Sequence, residues 1–536
     1  MAEKKRQGFL KGAALLSIAT IAVKLVGLVF SVQLANLIGE KAISYYSVAY
    51  DIFALFNAAA TAGIPVAVSR MVSEAYTMGR KKQADKIFMV ALTSFSVLGL
   101  LCSVLMFAFA GSLAGMLGFP GAKYSVMALA PTVFFCAFMS AIRGYFQGRS
   151  NMMPTAVSQV IEAVSKLAIG LSLAFYVHSA YNDGRLSAAA AIVGVSSSAA
   201  LGAIFSGFCK LSQNRRDKLG RAANLGEESP DPYKIILKKL VSFAVPITIG
   251  ACFIHLLNLI DARTVATCLK SIEGFTASDA EALYGTWANT VKIYDLPGAI
   301  IIPLSTSVLP VLTAAYTRGS KEGVKSTATS VLRMTFLIAI PCCAGLFVFA
   351  NPIASNFYYN SPLSIEKVPG LLQGVSLSVI FNGLLYTTNA IIQALGNAKR
   401  PVIHMLIGGA VKIALNYILV SVPGLNIMGV AISTVISNLI VAALNLQLIY
   451  KLIPKMEGVL KMTLPMAASA AIMGALSYLV YSGISSFASS LIALLAGIIT
   501  AVVVYFTAVI IFRAVRAEEI RMLPKGDKIA KLLHMD

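Results

Sequence analysis

Long apolar runs alternate with short polar loops from one end of the chain to the other. The runs fall at residues 12–38, 43–78, 86–110, 125–148, 153–178, 187–210, 238–268, 281–315, 327–350, 368–396, 401–421, 426–450, 462–482 and 488–512. The hydrocarbon core of a bilayer is about 30 Å thick and takes roughly 20 apolar residues in helical form. Each run therefore predicts a membrane-spanning helix, about fourteen in all. Runs longer than one span needs predict tilt or kinks. Pro65, Pro246, Pro297, Pro303, Pro310 and Pro341 are the expected kink positions. The basic start, Lys4-Lys5-Arg6, precedes an apolar run too long for a signal peptide and predicts the first span.

The loops carry a second pattern. With the N-terminus placed in the cytoplasm, 31 of the 44 Lys and Arg fall in cytoplasmic loops and termini. Five, Lys41, Lys123, Arg185, Lys270 and Lys367, fall in the opposite loops, and eight lie inside spans. Lys and Arg accumulate on the cytoplasmic side of membrane proteins, so both termini are expected inside. A wrong number of spans would have scrambled this alternation.

The runs also repeat. Ala75-Tyr76-Thr77-Met78-Gly79 ends the second span and Ala315-Tyr316-Thr317-Arg318-Gly319 the eighth. Gln147, Asn151 and Lys166 around the fifth span match Gln393, Asn397 and Lys412 around the eleventh. An even number of spans per copy returns the chain to the same side, so the copies are parallel. The expected organisation is all-α and integral to the membrane, with two parallel six-helix lobes around a central cavity and two extra C-terminal helices. The N-lobe takes residues 1–211, a cytoplasmic linker 212–236, the C-lobe 237–455, spans thirteen and fourteen 456–513, and a basic cytoplasmic tail 514–536.

Composition narrows the function. The chain is 57% hydrophobic and 12% charged, against about 25% charged in soluble domains. Its net charge of +21 sits mostly in cytoplasmic loops, where it faces anionic headgroups rather than nucleic acid. The seven cysteines form no CxxC pair and the four histidines show no metal spacing. No nucleotide-binding loop or nucleophile constellation is present. We expect a carrier, not an enzyme, with no cofactor and no nucleic-acid partner.

Candidate chemistry lies in the spans, where a central charge costs about 2.5–3.5 kcal/mol and is kept for a reason. Arg70, Arg143 and Arg333 lie near cytoplasmic ends, where snorkelling accounts for them. Lys24, Lys166, Lys292 and Lys412 lie near mid-span, and Arg263 towards the outer end of the seventh. Lys24, Lys292 and Arg263 are expected to line a cationic cleft suited to a phosphate, pyrophosphate or carboxylate. Asp51, Asp261 and Asp295 are the acids able to pair with them. Glu162 and Lys166, four residues apart, are expected to form a structural ion pair. Tyr45, Tyr46, Tyr50, Tyr358 and Tyr359, near outer span ends, are expected to anchor the chain at the interface.

Fourteen spans, two six-helix lobes and this polar inventory resemble the multidrug/oligosaccharidyl-lipid/polysaccharide exporter superfamily. The stretch Arg143-Gly144-Tyr145-Phe146-Gln147-Gly148 … Asn151-Met152-Met153-Pro154-Thr155-Ala156 resembles one branch of it. So does Tyr386 … Gln393-Ala394-Leu395-Gly396-Asn397 … Pro401. That branch holds the stage V sporulation protein B type and the Gram-positive lipid II flippases. The resemblance implies a flippase for undecaprenyl pyrophosphate bearing a disaccharide-pentapeptide, working by alternating access in a bacterial cell membrane. It places Lys24 and Lys292 at positions of family arginines. Two further family arginines fall on Phe30 and near Phe56-Asn57, which brings Asn57 into the candidate set. It implies that spans thirteen and fourteen form a groove for the lipid tail. Expected partners are the lipid-linked glycan, membrane lipids and cell-wall synthases, the chain itself being monomeric. Coupling to membrane potential or to a monovalent cation is open. Alternatives are export of another polysaccharide precursor (spore cortex or capsule), cation-coupled drug export, and a non-transporting assembly scaffold.

Overall fold

The computed structural model describes residues 2–219, 229–512 and 514. Residues 220–228 of the linker between the predicted lobes, including Arg221, and almost all of the basic C-terminal tail lie outside the described residues. The described chain is α-helical, with no strand among the described residues. Contacts divide it into two compact units. Unit 1 holds residues 1–270 and 274–288, and unit 2 holds 271–273 and 289–536.

Unit 1 contains α1 (Ala2–Thr61), α2 (Ile64–Thr77), α3 (Lys81–Ala108), α4 (Ala110–Met116), α5 (Lys123–Gly148), α6 (Met153–Tyr181), α7 (Gly184–Leu219) and α8 (Tyr233–Lys270). It also takes most of α9 (Ala277–Tyr294). Unit 2 contains the end of α9, then α10 (Gly298–Thr317), α11 (Lys321–Val348), α12 (Ala350–Phe357), α13 (Pro362–Ser376), α14 (Ser378–Ala394), α15 (Lys399–Leu419), α16 (Met428–Leu452), α17 (Val459–Ser485) and α18 (Ser490–Ile511).

Among the described residues, eleven helical stretches are long and apolar enough to cross a membrane, or twelve when the bent pair α13–α14 counts as one. The sequence predicted about fourteen. Two physical causes separate the numbers. The first two apolar runs form one helical stretch that kinks at Gly39 (φ 75°, ψ 169°). That left-handed φ is open to glycine, which has no Cβ to clash. The eighth run breaks at Leu296-Pro297 into α9 and α10, neither of which passes alone.

In unit 1, α5 packs against α3, α7 and α2, and α6 against α7 and α1. Lipid is as apolar as Leu, so helices in a membrane associate by close approach of small residues. The α6–α7 pair shows this. A Cβ on Gly194 would collide with the backbone of Gly170, and one on Gly170 would lie 2.9 Å from the ring of Phe30. In unit 2, α17 packs on α18 and α11, α15 on α16, and α14 on α10, α11 and α16. The outward side of α18, with Ile499, Val502, Val503 and Phe506 exposed, has the character of a lipid-facing surface. The repeat assigned α8 to the second lobe. In the structure it packs on α1, α2 and α3 in unit 1, with Ile236, Leu240 and Ala244 buried among Ile64, Val68 and Met71.

Candidate functional site

The motif around Arg143 has a physical reason in unit 1. A Cβ at Gly144 would lie 2.9 Å from Val68 Cβ and 3.1 Å from Pro65 Cα. One at Gly148 would lie 2.7 Å from the carbonyl of Ser69. The two glycines, one turn apart on α5, let α2 approach its backbone. Tyr145 between them is fully buried. Its hydroxyl donates to Asp85 (3.1 Å), accepts from Arg149 Nη1 (3.0 Å) and meets the Tyr76 hydroxyl (3.1 Å). The Lys210 ammonium lies 3.4 Å from the Tyr145 ring centroid.

Arg143 does not snorkel. Its guanidinium reaches from α5 to α6, donating to Ser158 Oγ (2.9 Å) and pairing with Glu162. This corrects the expected Glu162–Lys166 pair. The guanidinium fork reaches both Ser158 and Glu162 from across the helix interface, a geometry an ammonium on Glu162's own helix cannot match. Lys166 turns instead to α1. Its Nζ donates to Tyr50 OH (3.1 Å) and lies over the rings of Phe30 (4.7 Å) and Tyr50 (5.1 Å). Arg333, in unit 2, is buried and paired through Nη2 with both carboxylate oxygens of Glu457 at 2.9 Å.

The candidate residues fall in both units. In unit 1, Lys24 is partly buried on α1. Asp51 of α1 accepts from the Tyr284 hydroxyl of α9 (3.2 Å), and Asp261 of α8 lies close enough for its charge to act on the same phenol. Asp51, Asp261 and Tyr284 thus form one polar cluster, with the Phe119 ring tilted against the Tyr284 ring, centroids 4.9 Å apart. Asn57 sits two turns along α1 from Tyr50, its buried Oδ1 without a hydrogen-bond partner among the described residues. Arg263 is exposed, its guanidinium beside Gly118, and a spacing of two puts it on a different face of α8 from Asp261.

In unit 2, Lys292 and Asp295 are partly buried on consecutive turns at the end of α9. Asp295 stands at the Pro297 break, where a small cavity of about 10 Å³ is lined by Tyr294, Asn382 and Tyr386. Lys412 is partly buried on α15. No cluster of three or more His, Cys, Asp or Glu able to hold a metal occurs among the described residues.

The tyrosines correct the interface expectation. Tyr45, Tyr46 and Tyr358 are 2%, 3% and 1% exposed, and only Tyr359 of the five is exposed. They are internal scaffolding. Sequence reading missed Tyr284 as the partner of Asp51, because that contact spans a long stretch of chain. The one available signal was the four-residue spacing of Tyr46 and Tyr50, which puts them on one helix face.

Apolar helices of spanning length, with ammonium and carboxylate groups held partly buried between them, define a multi-span membrane transporter. The chain belongs to the polysaccharide biosynthesis protein family, whose profile matches residues 9–316, and a MatE profile matches residues 288–418. It is 28% identical over 524 residues to stage V sporulation protein B of Bacillus subtilis, covering 97% of this chain and 98% of that one. It is 25% identical to the lipid II flippase MurJ of the same organism, over 76% of each chain. Among solved structures, its fold matches a lipid II flippase MurJ in an inward closed conformation at TM-score 0.69 and 18% identity, over 93% of this chain and 98% of that one. It also matches an inward-facing multidrug resistance MATE family transporter of the MOP superfamily at TM-score 0.65 and 16% identity, over 82% and 100%. The branch resembled by the motifs, with its stage V sporulation protein B and lipid II flippase types, is the one represented among these relatives.

Proposed function

We propose that this protein is a flippase that carries an undecaprenyl-pyrophosphate-linked glycan, lipid II, from the inner to the outer leaflet of a bacterial cell membrane by alternating access. The observation that carries the reading is the placement of Lys24 on α1 and of Lys292 on α9, within the eighth apolar run, two ammonium groups partly buried among apolar residues. A pyrophosphate cannot cross about 30 Å of hydrocarbon unaided. Ammonium groups in a low-dielectric setting replace the hydration it loses, through charge-assisted hydrogen bonds. Asp51, Asp261 and Asp295 would balance these cations when no cargo is bound, and the Asn57 amide would offer a further polar contact. Both termini lie in the cytoplasm on this reading, following the 31-to-5 division of loop cations. The inside-negative potential acts on each charge that moves, at about 2.3 kcal/mol per charge per 100 mV, and supplies a means of resetting the empty carrier without a cofactor.

A second cargo has a specific observation in its favour. One relative aligned over nearly the whole of both chains is a sporulation protein, which supports a lipid-linked precursor of the spore cortex.

Complementation tests the reading. A strain depleted of its lipid II flippase, supplied with this chain, should regain lipid II accessible at the outer surface. Lys24→Gln or Lys292→Gln should each abolish the gain, and Lys→Arg at either site should keep much of it. The protein present in the membrane without restored export would overturn lipid II as cargo.

A further inference from the structure

Only five of the 44 Lys and Arg fall in the loops assigned to the outer side, against the strong preference for cations on the cytoplasmic side. Three of those five, Lys41, Lys123 and Arg185, line one cavity in unit 1, of about 390 Å³. They come from three separate places in the sequence: two residues past the Gly39 kink, the first residue of α5, and the second residue of α7. Chance scatter of five cations over all the outer loops does not favour such a meeting. The starts of α5, α7 and α9 converge at the same rim, so their positive dipole ends add to the field of the side chains.

The acids at the rim are each already engaged. Glu281 is buried in the wall, accepting from Tyr45 OH (2.7 Å) and facing Lys41 Nζ (3.7 Å). Lys41 is further held by Ser278 Oγ (3.0 Å). Asp279 turns its carboxylate back to the amide and hydroxyl of Thr276 (2.9 and 2.7 Å). Asp183 accepts from the Arg185 backbone amide (2.7 Å). Among the described residues, neither the Lys123 ammonium nor the Arg185 guanidinium has a carboxylate within 4 Å. Lys123 meets only the ring of Tyr124 (6.0 Å), and Arg185 interacts with the Tyr45 phenol. The cavity volume falls in the range of small-ligand sites.

We infer that this cavity is a binding site for a phosphate-type anion at the outer end of unit 1. Arg185 supplies a fork of donors and Lys123 and Lys41 point charges, a combination suited to a phosphate or diphosphate. The site rests on the flippase reading for its side of the membrane and for one of its two ligand sources. It would receive the pyrophosphate of the cargo after crossing, or the headgroup phosphate of an anionic phospholipid of the outer leaflet.

The test reads binding without transport. The purified full chain, in nanodiscs of phosphatidylcholine, is acetylated at lysine with and without inorganic pyrophosphate, and labelling is quantified by mass spectrometry. Pyrophosphate at ten times its dissociation constant should slow labelling of Lys123 by about tenfold, with no change at the cytoplasmic Lys321. The effect should vanish in Arg185→Gln, whose thermal melt checks that it is folded. Sulfate at equal ionic strength should protect far less. A second arm replaces phosphatidylcholine by phosphatidylglycerol. Protection there without pyrophosphate assigns the site to the lipid headgroup. Absence of protection in both arms, or equal protection at Lys321, overturns the site. A protected Lys123 in a chain that fails complementation would sink lipid II as cargo and leave the site standing.

Discussion

The ammonium of Lys166 lies 4.7 Å from the ring centroid of Phe30, the position on which the resemblance drawn from the sequence sets a second first-span arginine. The chain thus holds a cation beside that point, but supplies it from α6 rather than from α1. Lys166→Met should lower stability by about 1–3 kcal/mol, through loss of the cation–π contacts and the Tyr50 hydrogen bond. Lys166→Arg, which still stacks on aromatic rings, should recover most of it. Thermal unfolding in detergent measures both, and a Lys166→Met melt equal to wild type would remove the contact from the account.

Arg143 and Glu162 should behave as a coupled pair. Either Arg143→Met or Glu162→Gln should cost about 2–3 kcal/mol, because each leaves a partly buried charge without its partner. The double substitution should cost less than the sum of the two. Lys166→Met combined with Glu162→Gln should be additive. A double-mutant cycle of melting data checks the pairing directly.

Gly144→Ala should destabilise by about 1–3 kcal/mol, since its Cβ would overpack Val68 and Pro65 across the α5–α2 contact. Gly345→Ala in α11 meets nothing within 4 Å and should be neutral or slightly stabilising, by helix propensity. Comparing the two melts separates close approach from a general intolerance of larger residues.

How far the sequence foresaw these features follows from how local each one is. The Pro297 break and the apolar runs are written in neighbouring residues, and the predicted runs lie mainly on helix; the kink at Gly39 was not foreseen. The intramembrane charges could be found one by one, because any Lys or Asp among twenty apolar residues stands out. Their partners could not. Spacing of four made Glu162 and Lys166 a pair on paper, whereas the approach of α5 to α6 and of α6 to α1 gave each a better neighbour from another helix. The outer cavity was illegible for the same reason: Lys41, Lys123 and Arg185 are far apart in sequence, and only the fold brings their loops to one rim.

Thr276 and Asp279 form a reciprocal cap at the start of α9. The Thr276 amide and hydroxyl donate to the Asp279 carboxylate, and the Asp279 amide donates to Thr276 Oγ1 (3.2 Å). The Thr276 hydroxyl, then its amide, hold the Asp279 carboxyl below its ordinary range. A depressed carboxylate contributes stability above its unfolded value, about 3.9, and loses it as pH falls through the folded value. Amide exchange at Thr276 should therefore accelerate once pH drops below about 4. Asp279→Asn should make that exchange independent of pH, after correction for intrinsic rates.

A phenol has one proton to give and two lone pairs to offer. Tyr145 gives its proton to Asp85 and receives one from Arg149, so the remaining lone pair must take the hydroxyl proton of Tyr76, which fixes the direction of that bond. With its ring face covered by Lys210, the group has no valence left for a water molecule. Helices α2, α3, α5 and α7 are therefore knotted at this end of unit 1 around one saturated oxygen, so that no single one of them can move without breaking a bond to the others.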